Sequence, residues 1–259
     1  PWPYLALLTL GYGIALSYGQ LGVQAVIALA ALVVSGLAAH QTQRLWLRYA
    51  GHAVFVLLAL ALALHWLPGF NNGRAISPER LTPDAVPFSM YLNLDKPLIG
   101  FWLLLVCPWI APRFNWRASV GAALMGLVLA AMAALGGALL LGIVAWAPKW
   151  PSQGWIWLLN NLLLVTLVEE ALFRGYLQGG LSRWFKQLPY GQTLALVIAS
   201  LLFGLAHIGA GWQWVVLAGI AGLCYGLAYR FGGLSAAIAT HFGLNVLHLA
   251  FFTYPMLAP

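Results

Sequence analysis

The chain has 259 residues, 63% of them hydrophobic and only 7% charged, against roughly 25% charged in an ordinary soluble domain, so it cannot cover itself as a soluble protein of this size. The net charge of +7 comes from twelve Lys and Arg against five Asp and Glu. These basic residues stand singly between apolar runs and form no patch, which reads as membrane topology and excludes a nucleic-acid partner.

A bilayer-spanning helix needs about 20 mostly apolar residues. The composition therefore predicts an all-α, polytopic transmembrane helical bundle of about eight or nine spans, with no room for a sizeable soluble domain. Apolar runs separated by Gly, Pro, Asn and basic residues predict helices near 3–18, 21–39, 50–67, 97–111, 118–147, 155–180, 191–208, 212–230 and 233–254. The first has no basic segment ahead of it and reads as a retained helix, not a cleaved signal. Arg44 and Arg48, then Arg113 and Arg117, then Arg183 and Lys186, then Arg230, fall in alternate connections. The positive-inside rule then puts the N-terminus inside and the C-terminus outside. The connection Pro68 to Lys96 carries Asn71, Asn72, Gly73, Pro78, Pro83 and Pro87, and is predicted as a turn-rich outer loop.

Trp66, Trp150 and Trp155 near helix ends fit interfacial belts, and His40, His52 and His65 read as interfacial too. Cys107 and Cys224 sit singly in or beside apolar segments and read as packing residues. Gly219, Gly222 and Gly226 line one side of a helix and would let a neighbour approach closely. Residues 1–150 are expected to form N-terminal transmembrane helices with the loop 68–96. Residues 151–259 are expected to form the helices that carry the chemistry, within one membrane domain.

Two of the five carboxylates, Glu169 and Glu170, are adjacent inside the apolar run Leu162 to Leu177. A charge at a helix centre disfavours insertion by roughly 2.5–3.5 kcal/mol, so such residues face a bundle interior or a water-filled cavity and mark function. Glu170 and Arg174, four apart, share a helix face, whereas Glu169 points about 100° away. Arg174 is therefore expected to neutralise Glu170, leaving Glu169 desolvated and suited to accept a proton from water. An ion pair that only fixes packing would explain Glu170 well and Glu169 poorly.

Phe203-Gly-Leu-Ala-His207 closes the next apolar run, where a single His is either functional or a satisfied core residue. In the last span His241 and Asn245 share a face. Together they suit oxyanion stabilisation or an interhelical hydrogen bond. His248 continues their stripe by a further turn and ranks below them. Asn160 and Asn161 begin the glutamate helix, as caps or cavity lining.

Glu169-Glu170-Ala-Leu-Phe-Arg174, then Phe203-x-x-x-His207, then His241-x-x-x-Asn245, resembles the three ordered motifs of the CAAX prenyl endopeptidase and bacteriocin-processing family of intramembrane glutamic endopeptidases. The resemblance covers roughly residues 155–250. It implies that Glu169 is the general base activating the attacking water, that His207 positions that water, and that His241 and Asn245 hold the oxyanion, with Glu170, Arg174 and Phe203 in support. The adjacency of the glutamates leaves open which of them transfers the proton. It implies no cofactor, and as partners the lipid bilayer and a membrane-embedded or lipid-modified peptide, in a cell membrane of the bacterial inner-membrane kind.

Zinc held by Glu169, His207 and His241 is the nearest alternative, although no H-E-x-x-H helix is present. A proton-coupled transporter using the same Glu and His as a relay, or a non-enzymatic scaffold, are the others. Transporters of that kind often show internal repeats, which this sequence lacks.

Overall fold

The structure, a computed structural model, describes residues 2–41, 43–110 and 115–259. Arg113 and the end of the fourth predicted helix lie outside the described residues. The chain divides into two compact units, Pro1–Arg74 with Tyr91–Pro108, and Ala75–Met90 with Trp109–Pro259.

In the first unit, α1 (Trp2–Ser17), α2 (Val23–Ala39) and α3 (Leu45–Ala63) are followed by α4 (Lys96–Val106). Gly51 fixes the crossing of α2 and α3, since a Cβ there would lie 2.6 Å from the Ser35 carbonyl oxygen. Trp102 of α4 stacks on Phe55 with ring centroids 3.7 Å apart, and its indole N–H reaches the Leu32 carbonyl oxygen (3.1 Å) and the Ser35 hydroxyl (3.0 Å). Asp95 caps α4 by accepting from the Lys96 backbone N–H at 2.9 Å, and it pairs with His65. His65, read from the sequence as interfacial, is thus tied to the start of α4.

The second unit contains α5 (Trp116–Leu140), α6 (Gly154–Trp184), α7 (Gly191–Leu205) and α8 (Trp212–Phe251). Where the sequence predicted a helix up to 147, α5 stops at Leu140, ahead of the left-handed Gly142 (φ 66°). The 40 residues of α8 would make a rod of about 60 Å, twice the ~30 Å hydrocarbon core. Instead Gly233 breaks it with φ 76° and ψ −170°, values that favour glycine. The two arms fold back on each other, as the Tyr225–His241 (4.5 Å) and Trp214–His248 (5.9 Å) ring contacts require. Helix α5 packs along both arms. Its Ser119 hydroxyl donates to the Gly232 carbonyl at 2.7 Å, and its Ala123 carbonyl accepts from Thr240 at 3.2 Å.

The predicted glycine stripe faces α6 and α7. A Cβ on Gly204 would come within 3.1 Å of Gly219 Cα, and one on Gly222 within 3.2 Å of both Arg174 and Phe203. Small residues here let the helices meet at backbone distance.

The stretch 68–96 is not the plain loop that was expected. Strands β1 (Gly73–Glu79) and β2 (Phe88–Leu92) pair into a two-stranded sheet. Ile76 and Met90 are buried there with Trp157 and Leu249, so the pairing is supported by packing that the density of proline concealed. Among the described residues four helices are long and apolar enough to cross a membrane: α3, α5, α6 and α8. The remaining apolar helices, α1, α2, α4 and α7, have 10–17 residues. The α8 window is 44% buried, which makes this folded helix the most enclosed of the four.

Candidate active site

Helix α6 carries the first set of polar residues and departs twice from α-helical geometry, with π turns at Asn161–Thr166 and Ala171–Gln178. Such turns often occur at functional sites. The first brings residues five apart together, and the Thr166 hydroxyl donates to Asn161 Oδ1 at 3.2 Å. One turn on, Glu170 and Arg174 form the pair their spacing predicted. Arg174 Nε lies 3.2 Å from Glu170 Oε2, and neither side chain has any exposed surface.

The Arg174 guanidinium is held from three further directions. Its Nη2 donates to the Gly222 carbonyl at 3.0 Å, and its charge sits 4.5 Å from the Phe203 ring centroid and 5.2 Å from that of Tyr225. Cation–π contacts of this kind gain strength when desolvated.

The other oxygen of Glu170 is not idle. Glu170 Oε1 accepts from His241 Nδ1 at 2.8 Å, so one buried carboxylate bridges an arginine of α6 and a histidine of α8. His241 is further fixed by Tyr225, stacked at 4.5 Å and 13°. Asn245, one turn on, donates an N–H to Asn161 Oδ1 at 3.2 Å. An amide NH₂ has two donors, so the second remains free.

His207 lies just past the end of α7, ahead of a short 3₁₀ turn at Ile208–Ala210. Its Nδ1 is 2.9 Å from the Phe203 carbonyl oxygen. A carbonyl only accepts, so Nδ1 carries the proton and Nε2 of a neutral ring presents a lone pair. Phe203 is the hub beneath these groups, with its ring 4.9 Å from His207 and 5.6 Å from His241.

His207, His241, Asn245 and His248 line one cavity of about 90 Å³, which has room for several waters. Its remaining wall includes Phe203 and Tyr225. Neither glutamate lines it. Glu170 stands behind His241. Glu169 is half-buried and has no hydrogen-bond or ion-pair partner among the described residues. Both glutamates are within electrostatic reach of Tyr225, which forms part of the cavity wall.

Three contributors were ranked low or missed in the sequence. Asn161 orients Asn245 through the π turn, a five-residue spacing that α-helical periodicity does not reveal. Tyr225 joins the site only because α8 folds at Gly233. The buried Nε2 of His248 has no hydrogen-bond partner and belongs to the same cavity wall, as the continuing stripe on its helix allowed. Among the described residues no three His, Cys, Asp or Glu side chains are grouped to hold a metal ion, so Glu169, His207 and His241 are not gathered as a ligand set.

A folded helix pair enclosing histidines, an amide and a buried carboxylate among apolar helices defines an integral-membrane-type bundle with a polar interior site. Residues 150–247 match the model of the family described as type II CAAX prenyl endopeptidase, Rce1-like, and every residue of the three motifs falls within that range. The match agrees with the resemblance that the motifs carry. No curated protein and no solved structure matches it.

Proposed function

We propose that this protein is an intramembrane endopeptidase that hydrolyses a peptide bond in a membrane-embedded or lipid-modified substrate, prenylated proteins being the class the family description names. The observation that carries this reading is the convergence of His207, His241 and Asn245, from helices distant in sequence, on one small cavity, with Glu170 bonded to His241 behind it.

A water in the cavity donates one hydrogen bond to the free Nε2 of His207. Glu169, unlike Glu170, has no competing partner and takes the other proton as the water oxygen attacks the carbonyl carbon. This role requires the Glu169 side chain to turn toward the cavity, whose wall includes Tyr225, a residue within its electrostatic reach. The carbonyl oxygen gains negative charge, and the remaining N–H of Asn245 and the Nε2–H of His241 donate to it. With both ring nitrogens donating, His241 is an imidazolium, and Glu170 supplies its counter-charge. Collapse of the tetrahedral intermediate breaks the C–N bond, and the proton held by Glu169 passes to the leaving amine.

No step uses a cofactor. Residues 151–259 form the catalytic helices in this reading, and the helices of residues 1–150 complete a bundle of eight or nine spans, the two arms of α8 counting separately. The setting is a cell membrane of the bacterial inner-membrane kind.

The test is cleavage of quenched fluorescent membrane peptides by the purified protein and by Glu169→Ala, His207→Ala and His241→Ala, with and without chelator, with folding checked for each. Cleavage that survives chelator and is lost in all three folded variants is expected. Loss of wild-type activity on chelation would assign the reaction to a metalloprotease, and an active Glu169→Ala would remove that residue as the base.

A further inference from the structure

The end of the second unit where Gly233 breaks α8 holds a cavity of about 500 Å³, walled by Arg183, Arg230, Asn115, Ser182, Gln192 and Tyr229. An adjoining recess shares Ser182, Gln192 and Arg230 and adds Lys186. None of the five carboxylates of the chain lines either space. Arg183 lies 5.1 Å over the Trp109 ring, and Arg230 lies 5.7 Å over the Phe231 ring and reaches the Thr193 hydroxyl at 3.5 Å. Both guanidiniums therefore face the cavity without an anionic partner among the described residues.

An apolar groove of about 280 Å³ begins at the same place. It shares Ala118 and Phe231 with the cationic cavity and continues along Ala122, Met125 and Leu129 of α5. From Ala118 to Leu129 it runs about 16 Å along the helix axis, comparable with half the ~30 Å hydrocarbon core and so with one acyl chain. Charge at one end and an apolar trough at the other describe an amphiphile. Gln178 adds a selective feature, because the residue lines the cavity and its buried Oε1 has no hydrogen-bond partner. It can accept from a hydroxyl, which the quaternary ammonium of a choline headgroup does not offer.

We propose that this cavity and groove bind one anionic phospholipid with a hydroxyl-bearing headgroup. The phosphate lies between Arg183 and Arg230, a headgroup hydroxyl donates to Gln178, and one acyl chain occupies the α5 groove. Basic pockets between membrane helices are recognised sites for anionic headgroups. The site is separate from the histidine cavity, so it stands whether or not the protein is a peptidase.

The experiment titrates the detergent-purified full chain with phosphatidylglycerol, phosphatidylcholine or water-soluble glycerol 3-phosphate. Retained lipid is counted by native mass spectrometry, and the thermal midpoint is followed alongside. One phosphatidylglycerol per chain and a saturable rise in midpoint are expected, with no such effect from phosphatidylcholine. Arg183→Gln with Arg230→Gln should weaken binding roughly thirtyfold, at about 1 kcal/mol per cation. Arg44→Gln with Arg48→Gln, an equal loss of charge in the first unit, should leave it unchanged, and Ala118→Trp, which plugs the junction, should abolish it. Equal binding of phosphatidylcholine, equal weakening by the Arg44/Arg48 pair, or full retention by Ala118→Trp would overturn the proposal. Stabilisation by glycerol 3-phosphate equal to that by the lipid would reassign the cavity to free anions.

Discussion

The two ends of the α5–α8 bundle treat charge in opposite ways. At the histidine end the site side chains are oriented by one another: Glu170 by Arg174 and His241, Asn245 by Asn161, Asn161 also by Thr166, and His207 by a backbone carbonyl. At the Gly233 end the arginines have no carboxylate and look into open space. Burial accounts for the contrast. Polar groups removed from water cost several kcal/mol unless partnered, so the interior side chains are tied into a network, with Glu169 and one face of the cavity outside it. At the basic end, where water reaches, partners are not demanded.

The largest effect that would break this contrast is a split between the two glutamates. Glu169→Gln should lower peptidase turnover by roughly 10²–10⁴-fold, the usual worth of a general base, with the unfolding midpoint unchanged. Glu170→Gln should do more to the fold, because removing one partner of a buried pair costs about 3–5 kcal/mol, read by denaturant unfolding in detergent. Equal destabilisation by both would mean that Glu169 is partnered in the membrane and that the roles are not divided. Asn245→Ala removes a proposed oxyanion donor and should cost about 10²–10³-fold in kcat. Asn161→Ala only frees the Asn245 amide and should cost less, in kcat and not in KM. A change in KM alone would place Asn161 in substrate binding.

Smaller still is Gly222→Ala, which presses a methyl group to 3.2 Å from Arg174 Nη2 and Phe203 Cδ1. Overpacking of this kind typically costs about 1–3 kcal/mol. It should lower the unfolding midpoint more than an alanine at Gly233, which meets nothing within 4 Å but must adopt φ 76°. The reverse order would show that the turn, and not the contact around Arg174, limits the stability of α8.

How much of this was legible in the sequence depended on whether α-helical periodicity held. The Glu170–Arg174 pair and the shared face of His241 and Asn245 follow from a spacing of four, and the gap between residues 230 and 233 already marked the fold in α8. Asn161 and Thr166 were not legible as a pair, because a π turn changes the spacing to five. Nor was the His241–Glu170 bond, which joins residues 71 apart and depends on how α6 meets the returning arm of α8. The strands β1 and β2 were hidden for a different reason, since Pro78, Pro83 and Pro87 mask a short alternation whose burial comes from Trp157 and Leu249 far along the chain.

The smallest effect tests whether the histidine end is supported from outside the membrane helices. Asp84 accepts from the Thr253 hydroxyl at 3.4 Å, just past the end of α8, and Lys149 donates to the Phe252 carbonyl beside it. The Thr82 hydroxyl, followed by the backbone, Thr253 and Lys149, holds the Asp84 carboxyl below its ordinary value of 3.8 against a smaller opposing effect of desolvation. Folding therefore favours the ionised form. Its contribution is full above the unfolded-state value and is lost as pH falls through the lower folded-state value. Asp84→Asn should accordingly lower the thermal midpoint slightly at neutral pH and flatten its decline on acidification below about pH 4. Glu79→Gln, which has no such contacts among the described residues, should leave the acid limb as it is. If Asp84→Asn leaves that limb unchanged as well, the Thr253 contact does not brace α8, and the cavity geometry rests on the interior network alone.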